Sequence, residues 1–207
     1  MPTFPRAAGV LLHPTSLPGR FGIGDLGLAA YRLIDFLSNS YQQLWQVLPL
    51  GPTGYGNSPY MCYSAMAGNP LLISPEQLQE NGLLSEEDFA NLPEFPADRV
   101  DYDRAIDIKF PLLRKACEHF RDRASELQQQ EFAGFCRAKA YWLDDYALFM
   151  ALKDALEGKS WYDWEPEIAR RQPEAMERWR QQLESEIFYQ KFIQFEFFQQ
   201  WSNLKRY

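Results

Sequence analysis

The chain has 207 residues, of which 46% are hydrophobic, 24% charged and 15% aromatic, and a formal net charge of −7. Such a length holds one large or two small domains, and such a composition belongs to an ordinary globular protein. The acidic balance argues against nucleic acid and anionic membrane as partners, because both require a basic surface, and leaves neutral or cationic ligands.

From the N-terminus, Val10, Leu11 and Leu12 form a short apolar run read as a buried strand. The loop "HPTSLPGRFGIGDLG" follows, and Asp25 stands where it could cap a helix. In that helix Ala30, Tyr31, Ile34 and Leu37 share one face. "LWQVLPL", Leu44 to Leu50, reads as a second buried strand, so the two strands should lie parallel. The loop "GPTGYGNSPY" then leaves the C-terminal end of that strand, where α/β proteins place binding sites. Beyond about Ser74 the pattern turns helical. Ser85 three residues before Asp88 resembles a capping box, and "LPEFPADRVDY" is a proline-broken connection. Phe110, Leu113, Cys117 and Phe120 keep helical spacing, as do residues from Phe132 to Met150. After "EGKSWYDWEPE" one last helix runs from near Pro173 to the end. The expected division is 1–73 for the first βαβ elements, 74–172 for a mostly helical insertion and 173–207 for a long aromatic-rich helix.

Most motifs have a plain explanation. "GIGDLG" matches G-x-G-x-x-G, but nine residues separate it from the strand and no acidic residue ends the second strand, so it reads as a turn. His13, Thr15 and Ser16 lack the sharp elbow of a nucleophilic serine. Asp144-Asp145 and Glu86-Glu87-Asp88 are sequence neighbours, which do not face each other across a bond as glycosidic chemistry requires. Phe188, Phe192, Phe195 and Trp201 have core spacing. Cys62, Cys117 and Cys136 are odd in number with no C-x-x-C pair, and His13 and His119 are the only histidines. Reduced thiols and no metal site follow. No stretch of ~18 apolar residues suggests a membrane span, and the N-terminal apolar run is too short for a signal peptide, so the reading is cytoplasmic.

The loop from Gly51 to Tyr60 is different. Tyr55 and Tyr60 offer flat apolar faces with polar tips, suited to pyranose rings. Asn57 and Ser58 add short hydrogen-bonding groups, and the glycines let backbone approach a ligand. With its surroundings, "GVLLHPTSLPGRFGIGDLG", "LWQVLPLGPTGYGNSPY" and "SAMAGNPLLIS", this loop resembles the start of an amylomaltase, a 4-α-glucanotransferase of glycoside hydrolase family 77. "RVDY" and "WYDWEPEIARRQPEAM" resemble its helical insertions, so the likeness covers essentially all 207 residues.

The resemblance implies an α/β fold, the start of a (β/α)8 TIM barrel with large helical insertions, the barrel incomplete in this chain. It implies transfer of α-1,4-glucan segments between maltooligosaccharides, with retention through a glycosyl-enzyme and no cofactor. Ser58 and Tyr60 would line the cleft, and Tyr55 and Tyr102 would belong to a second glucan groove. Two departures from the family stand out. Asn57 replaces a frequent aspartate, and "MCYSAM" replaces a glutamine-serine-phenylalanine run. The family's catalytic carboxylates, in motifs resembling R-x-D-H-F, A-E-D-L and H-D-N, do not occur and are expected beyond Tyr207. The expectation is an N-terminal portion of the enzyme, inactive alone; the alternatives are a non-catalytic glucan-binding module and an inactive fragment.

Overall fold

The computed structural model describes residues 6–96 and 98–207. Strand β1, Gly9–Leu11, pairs in parallel with β2, Leu44–Gln46, in the register Gly9 to Leu44, Val10 to Trp45 and Leu11 to Gln46. Trp45 Nε1 donates to the Leu12 carbonyl at 2.7 Å and prolongs the pairing beyond the backbone ladder. Gly9 is required here, since a Cβ at this position would stand 2.4 Å from the Leu44 carbonyl oxygen. Helix α1, Leu28–Asn39, links the strands and buries Ala30 and Leu37. The expected parallel βαβ unit is thus present. Its burial is not as expected, because Val10, Leu11 and Leu44 are exposed. Apolar runs of this kind suit strands covered on both faces, but a two-stranded sheet gives each strand only one neighbour.

The contacts of the chain divide it into two compact units, residues 1–123 with 196–207, and residues 124–195. In the first, α2 (Pro75–Glu80) and α3 (Tyr102–Arg123) join α1. Asp25 does not cap α1, whose N-cap is Gly27. Its carboxylate instead accepts the Gly27 N–H at 2.9 Å and pairs at 2.8 Å with Lys109 of α3, which is fully buried. Burial pulls the Lys109 ammonium below its ordinary value, and Asp25 and Glu76 oppose that shift. A buried pair of this kind holds geometry more than it adds stability: its attraction is offset by desolvation, and removal of one partner leaves a stranded charge. Around it Ile23, Leu71 and Ala105 form an apolar cluster. The Ser85–Asp88 capping box is present, with Asp88 accepting the Ser85 N–H at 2.8 Å.

The second unit holds α4 (Glu126–Ala155), α5 (Pro166–Ala169), α6 (Pro173–Gln182) and the first half of α7 (Glu184–Arg206). Ser125 and Gln128 form a reciprocal cap at the start of α4. One buried apolar cluster consists of Leu148, Leu152, Trp164, Ile168 and Met176. The helix expected from Pro173 to the end is two helices broken at Leu183. Of the four aromatic residues expected in the core, Phe192 and Phe195 are buried and Phe188 and Trp201 half-buried; Phe132 meets Phe188 and Phe195 at centroid distances of 5.2 and 5.6 Å.

The second half of α7 belongs to the first unit. There the Gln200 amide accepts the Ser74 N–H at 2.7 Å and donates to the Ser74 carbonyl at 3.2 Å, imitating a strand partner for one buried residue. Tyr207 donates to Asp35 at 2.7 Å and stacks edge-on against Tyr31. Among the described residues, no helix is long and apolar enough to cross a membrane.

Candidate functional site

Because β1 and β2 are parallel, the segments after them leave from the same end of the pair. His13 links the two segments. Its Nδ1 accepts from the Thr15 N–H at 3.3 Å and contacts the Thr15 hydroxyl at 2.8 Å, and its Nε2 points at the Pro49 carbonyl at 3.4 Å. An acceptor role at Nδ1 places the proton on Nε2, which donates to Pro49. Burial lowers the imidazole pKa, against the opposing effect of that carbonyl, so the ring is neutral at pH 7. His13 therefore ties the first loop to the second and holds the buried Thr15 hydroxyl at its Nδ1.

The second loop folds as a tight hairpin. Thr53 bridges to Cys62, Gly54 N–H donates to the Met61 carbonyl at 2.6 Å, and Tyr63 N–H donates to Pro52 at 3.0 Å. At the tip, Gly56 and Asn57 take left-handed backbone at φ 68° and 53°. Glycine does this freely, and asparagine is among the few other residues that do so readily. The hairpin presents Tyr60, 70% exposed, beside exposed Met61 and Tyr63, while Ser58 is half-buried. The Tyr55 backbone lies in the tip, and its side chain falls outside the described part. Tyr102 stands at the first position of α3, where its ring packs on the Ile23, Leu71 and Ala105 cluster and keeps one side half-open. Its packing gives it a structural role in addition to any contact with ligand.

A cavity of about 780 Å³ adjoins the first loop, between residues 16–23 and 95–100. Arg20, Arg32 and Arg99 line it against Asp98, with Phe95 as an aromatic wall. Arg20 is held by Glu86 at 3.2 Å. A cleft of this size accommodates several sugar rings or a similar ligand, and its guanidiniums can donate to hydroxyls or anions. Sequence reading did not assemble it: Arg20 and Arg99 lie 79 positions apart, in two motifs that nothing in the sequence brings together.

Four of the five adjacent carboxylates are engaged with partners. Asp144 pairs with Lys191, Asp145 with Arg171, Glu86 with Arg20, and Asp88 with Lys115 and Ser85. No group of three metal-ligating side chains occurs among the described residues. Cys62, Cys117 and Cys136 take part in no disulfide.

Residues 12–207 match the family model for glycoside hydrolase family 77, 4-alpha-glucanotransferase. The chain is 52% identical over 202 residues to a 4-alpha-glucanotransferase of Synechocystis, covering 98% of this chain and 40% of that protein. It is 46% identical over 201 residues to the 4-alpha-glucanotransferase of Thermus thermophilus, covering 97% and 39%. Among solved structures it resembles an amylomaltase of Streptococcus agalactiae in complex with acarbose, at a TM-score of 0.91 and 38% identity over 97% of this chain and 40% of that one. The chain thus spans about two-fifths of the length of these relatives. The family resemblance of the loop sequences is upheld, and the chain belongs to the 4-alpha-glucanotransferase family, glycoside hydrolase family 77.

Proposed function

We propose that this chain supplies the acceptor-side portion of a 4-α-glucanotransferase that moves α-1,4-glucan segments between maltooligosaccharides by retaining double displacement. Residues 1–73 provide the first elements of a (β/α)8 barrel, 74–172 a helical insertion, and 173–207 the helices α6 and α7 that lead to the next strand. Ser58 and Tyr60 line the cleft, and Tyr55 and Tyr102 serve a second glucan groove. The observation that carries this reading is the hairpin at the strand ends, which leaves Tyr60 70% exposed on a rigid turn. An exposed, pre-ordered tyrosine presents a stacking face and a phenol at little entropic cost.

The two carboxylates of the reaction lie outside this chain, and the engagement of four of its five adjacent carboxylates in ion pairs and caps supports that placement. The protein works in the cytoplasm, on neutral glucans, without metal or organic cofactor. Incubation of the pure 207-residue chain with maltotriose should leave the sugar untouched. A ladder of glucose and longer glucans would place catalytic carboxylates within this chain and overturn the assignment. Tyr60→Ala should weaken maltoheptaose binding about tenfold, as the loss of one aromatic contact worth ~1 kcal/mol or slightly more implies.

A second reading, a glucan-binding module without catalysis, is favoured by the same exposed tyrosine, and the Tyr60→Ala measurement supports both. The maltotriose assay repeated with a polypeptide spanning the relatives' full length separates them: turnover there identifies the enzyme.

A further inference from the structure

The helical unit carries an aromatic surface that the reading above leaves unused. A cavity of about 130 Å³ opens between α4 and the segment 161–176. Phe149, Trp164 and Met176 form its apolar part. Trp161, also in its lining, is 56% exposed, and its neighbour Tyr162 is 68% exposed. Their rings meet edge-to-face with centroids 5.9 Å apart. The turn that presents them is tightly built: Asp163 N–H donates to Ser160 at 2.9 Å, and Trp164 Nε1 donates to Lys159 at 3.1 Å. Two large rings are therefore held in water by a fixed backbone, although each forfeits apolar burial.

The polar side of the same cavity is the Asp145–Arg171 pair, 2.7 Å apart, with both side chains more than half exposed. Arg171 has φ 54°, in the left-handed region. It ends α5 in a left-handed cap, its N–H donating to Ile168 at 2.8 Å and the Gln172 N–H to Glu167 at 2.9 Å, a position that glycine suits best. A carboxylate that only accepts stands beside a planar guanidinium that only donates, and the vicinal hydroxyls of a pyranose can satisfy both. The indole at the rim supplies the flat apolar face that the C–H side of the same ring stacks on. The volume equals about four waters at ~30 Å³ each. That admits part of one sugar ring and no more, so a longer glucan would continue over Tyr162.

We propose that the Trp161–Arg171 cleft is a separate carbohydrate platform that holds one ring of an α-1,4-glucan, with Trp161 as the stacking face and Asp145 and Arg171 as the hydroxyl partners. The proposal rests on the glucan reading given above. The test is a maltoheptaose titration of the whole 207-residue chain, followed by the Trp161 indole N–H resonance, which is assigned by its loss in Trp161→Ala. The resonance should shift with saturation. Trp161→Ala should weaken binding at this cleft about tenfold, while Trp161→Phe retains most of it and Tyr60→Ala leaves the shift intact. Arg171→Gly should raise or preserve the melting temperature by relieving the backbone and still weaken binding, a combination that a purely structural arginine would not give. A Trp161 resonance that stays still while the Tyr60 ring responds overturns the platform and spares the hairpin reading. A response at Trp161 alone upholds the platform and removes the hairpin, and silence at both overturns both.

Discussion

At the scale of single residues, the most consequential group is Glu196. Its Oε2 is buried with no hydrogen-bond partner, and burial pushes its pKa up to about 8. A raised carboxyl pKa means that the folded state prefers the proton, so stability is full below about pH 4.5 and is lost as pH rises toward 8. At pH 7 the loss is on the order of 3 kcal/mol. Glu196→Gln should raise the melting temperature by several degrees at pH 8, change it little at pH 4, and flatten the curve between. Parallel melting curves for the two proteins across that range would contradict this origin. Nothing in "QFEFF" announces such a group, because the sequence shows the stripe and not which side of it is sealed. The same limit hid the use of Asp25. A carboxylate three residues before a helix reads as a cap, and its real partner, Lys109, lies 84 positions away. The loop from Gly51 to Tyr60 was legible as a turn because its signals are local: Ser58 and Tyr60 sit in one hairpin that follows from its own glycines and prolines.

Among the elements, legibility followed length and period. Helices α3 and α4 were readable because apolar residues recur every three to four positions over many turns, and the Ser85–Asp88 cap because its two partners are three residues apart. The break between α6 and α7 was not. Trp179, Leu183 and Ile187 pack against one core at a spacing of four, so the apolar pattern runs through Leu183, where the helix stops. Strand burial failed for another reason, since a sequence records how apolar a strand is but not how many neighbours it has. The Gln200 clasp on Ser74 lends itself to a direct test. Gln200→Leu would leave the Ser74 N–H buried without a partner, at ~1–3 kcal/mol, while the Ser74 carbonyl keeps the Leu78 N–H at 3.3 Å. A lowered urea midpoint with an unchanged slope is the expected result, and an unchanged midpoint would show that water replaces the amide.

On the scale of the whole molecule, β1 and β2 expose Val10, Leu11 and Leu44, and α1 exposes Leu28 and Phe36. Unpaired strand edges and exposed apolar side chains favour association. Light scattering should show the mass of the 207-residue chain rising with concentration. Leu11→Lys combined with Phe36→Ser should suppress that rise with little change in melting temperature, because both side chains are already in water. If the double variant associates as strongly as the parent, some other surface is responsible.

The clasp between residues 74 and 200 also bears on the order of events during synthesis. The first unit is discontinuous in sequence, so its closing helix is made last, after all of 124–195. At ~5–20 residues per second, residue 74 waits on the order of ten seconds for residue 200 to follow it. During that interval the Ser74 backbone, the Gly68 site that receives the Phe197 ring and the Asp35 carboxylate that receives Tyr207 all lack their partners. The helical unit, contiguous and rich in local contacts, can form within that interval, and the nascent chain is thereby exposed to aggregation on its first-made half rather than its last.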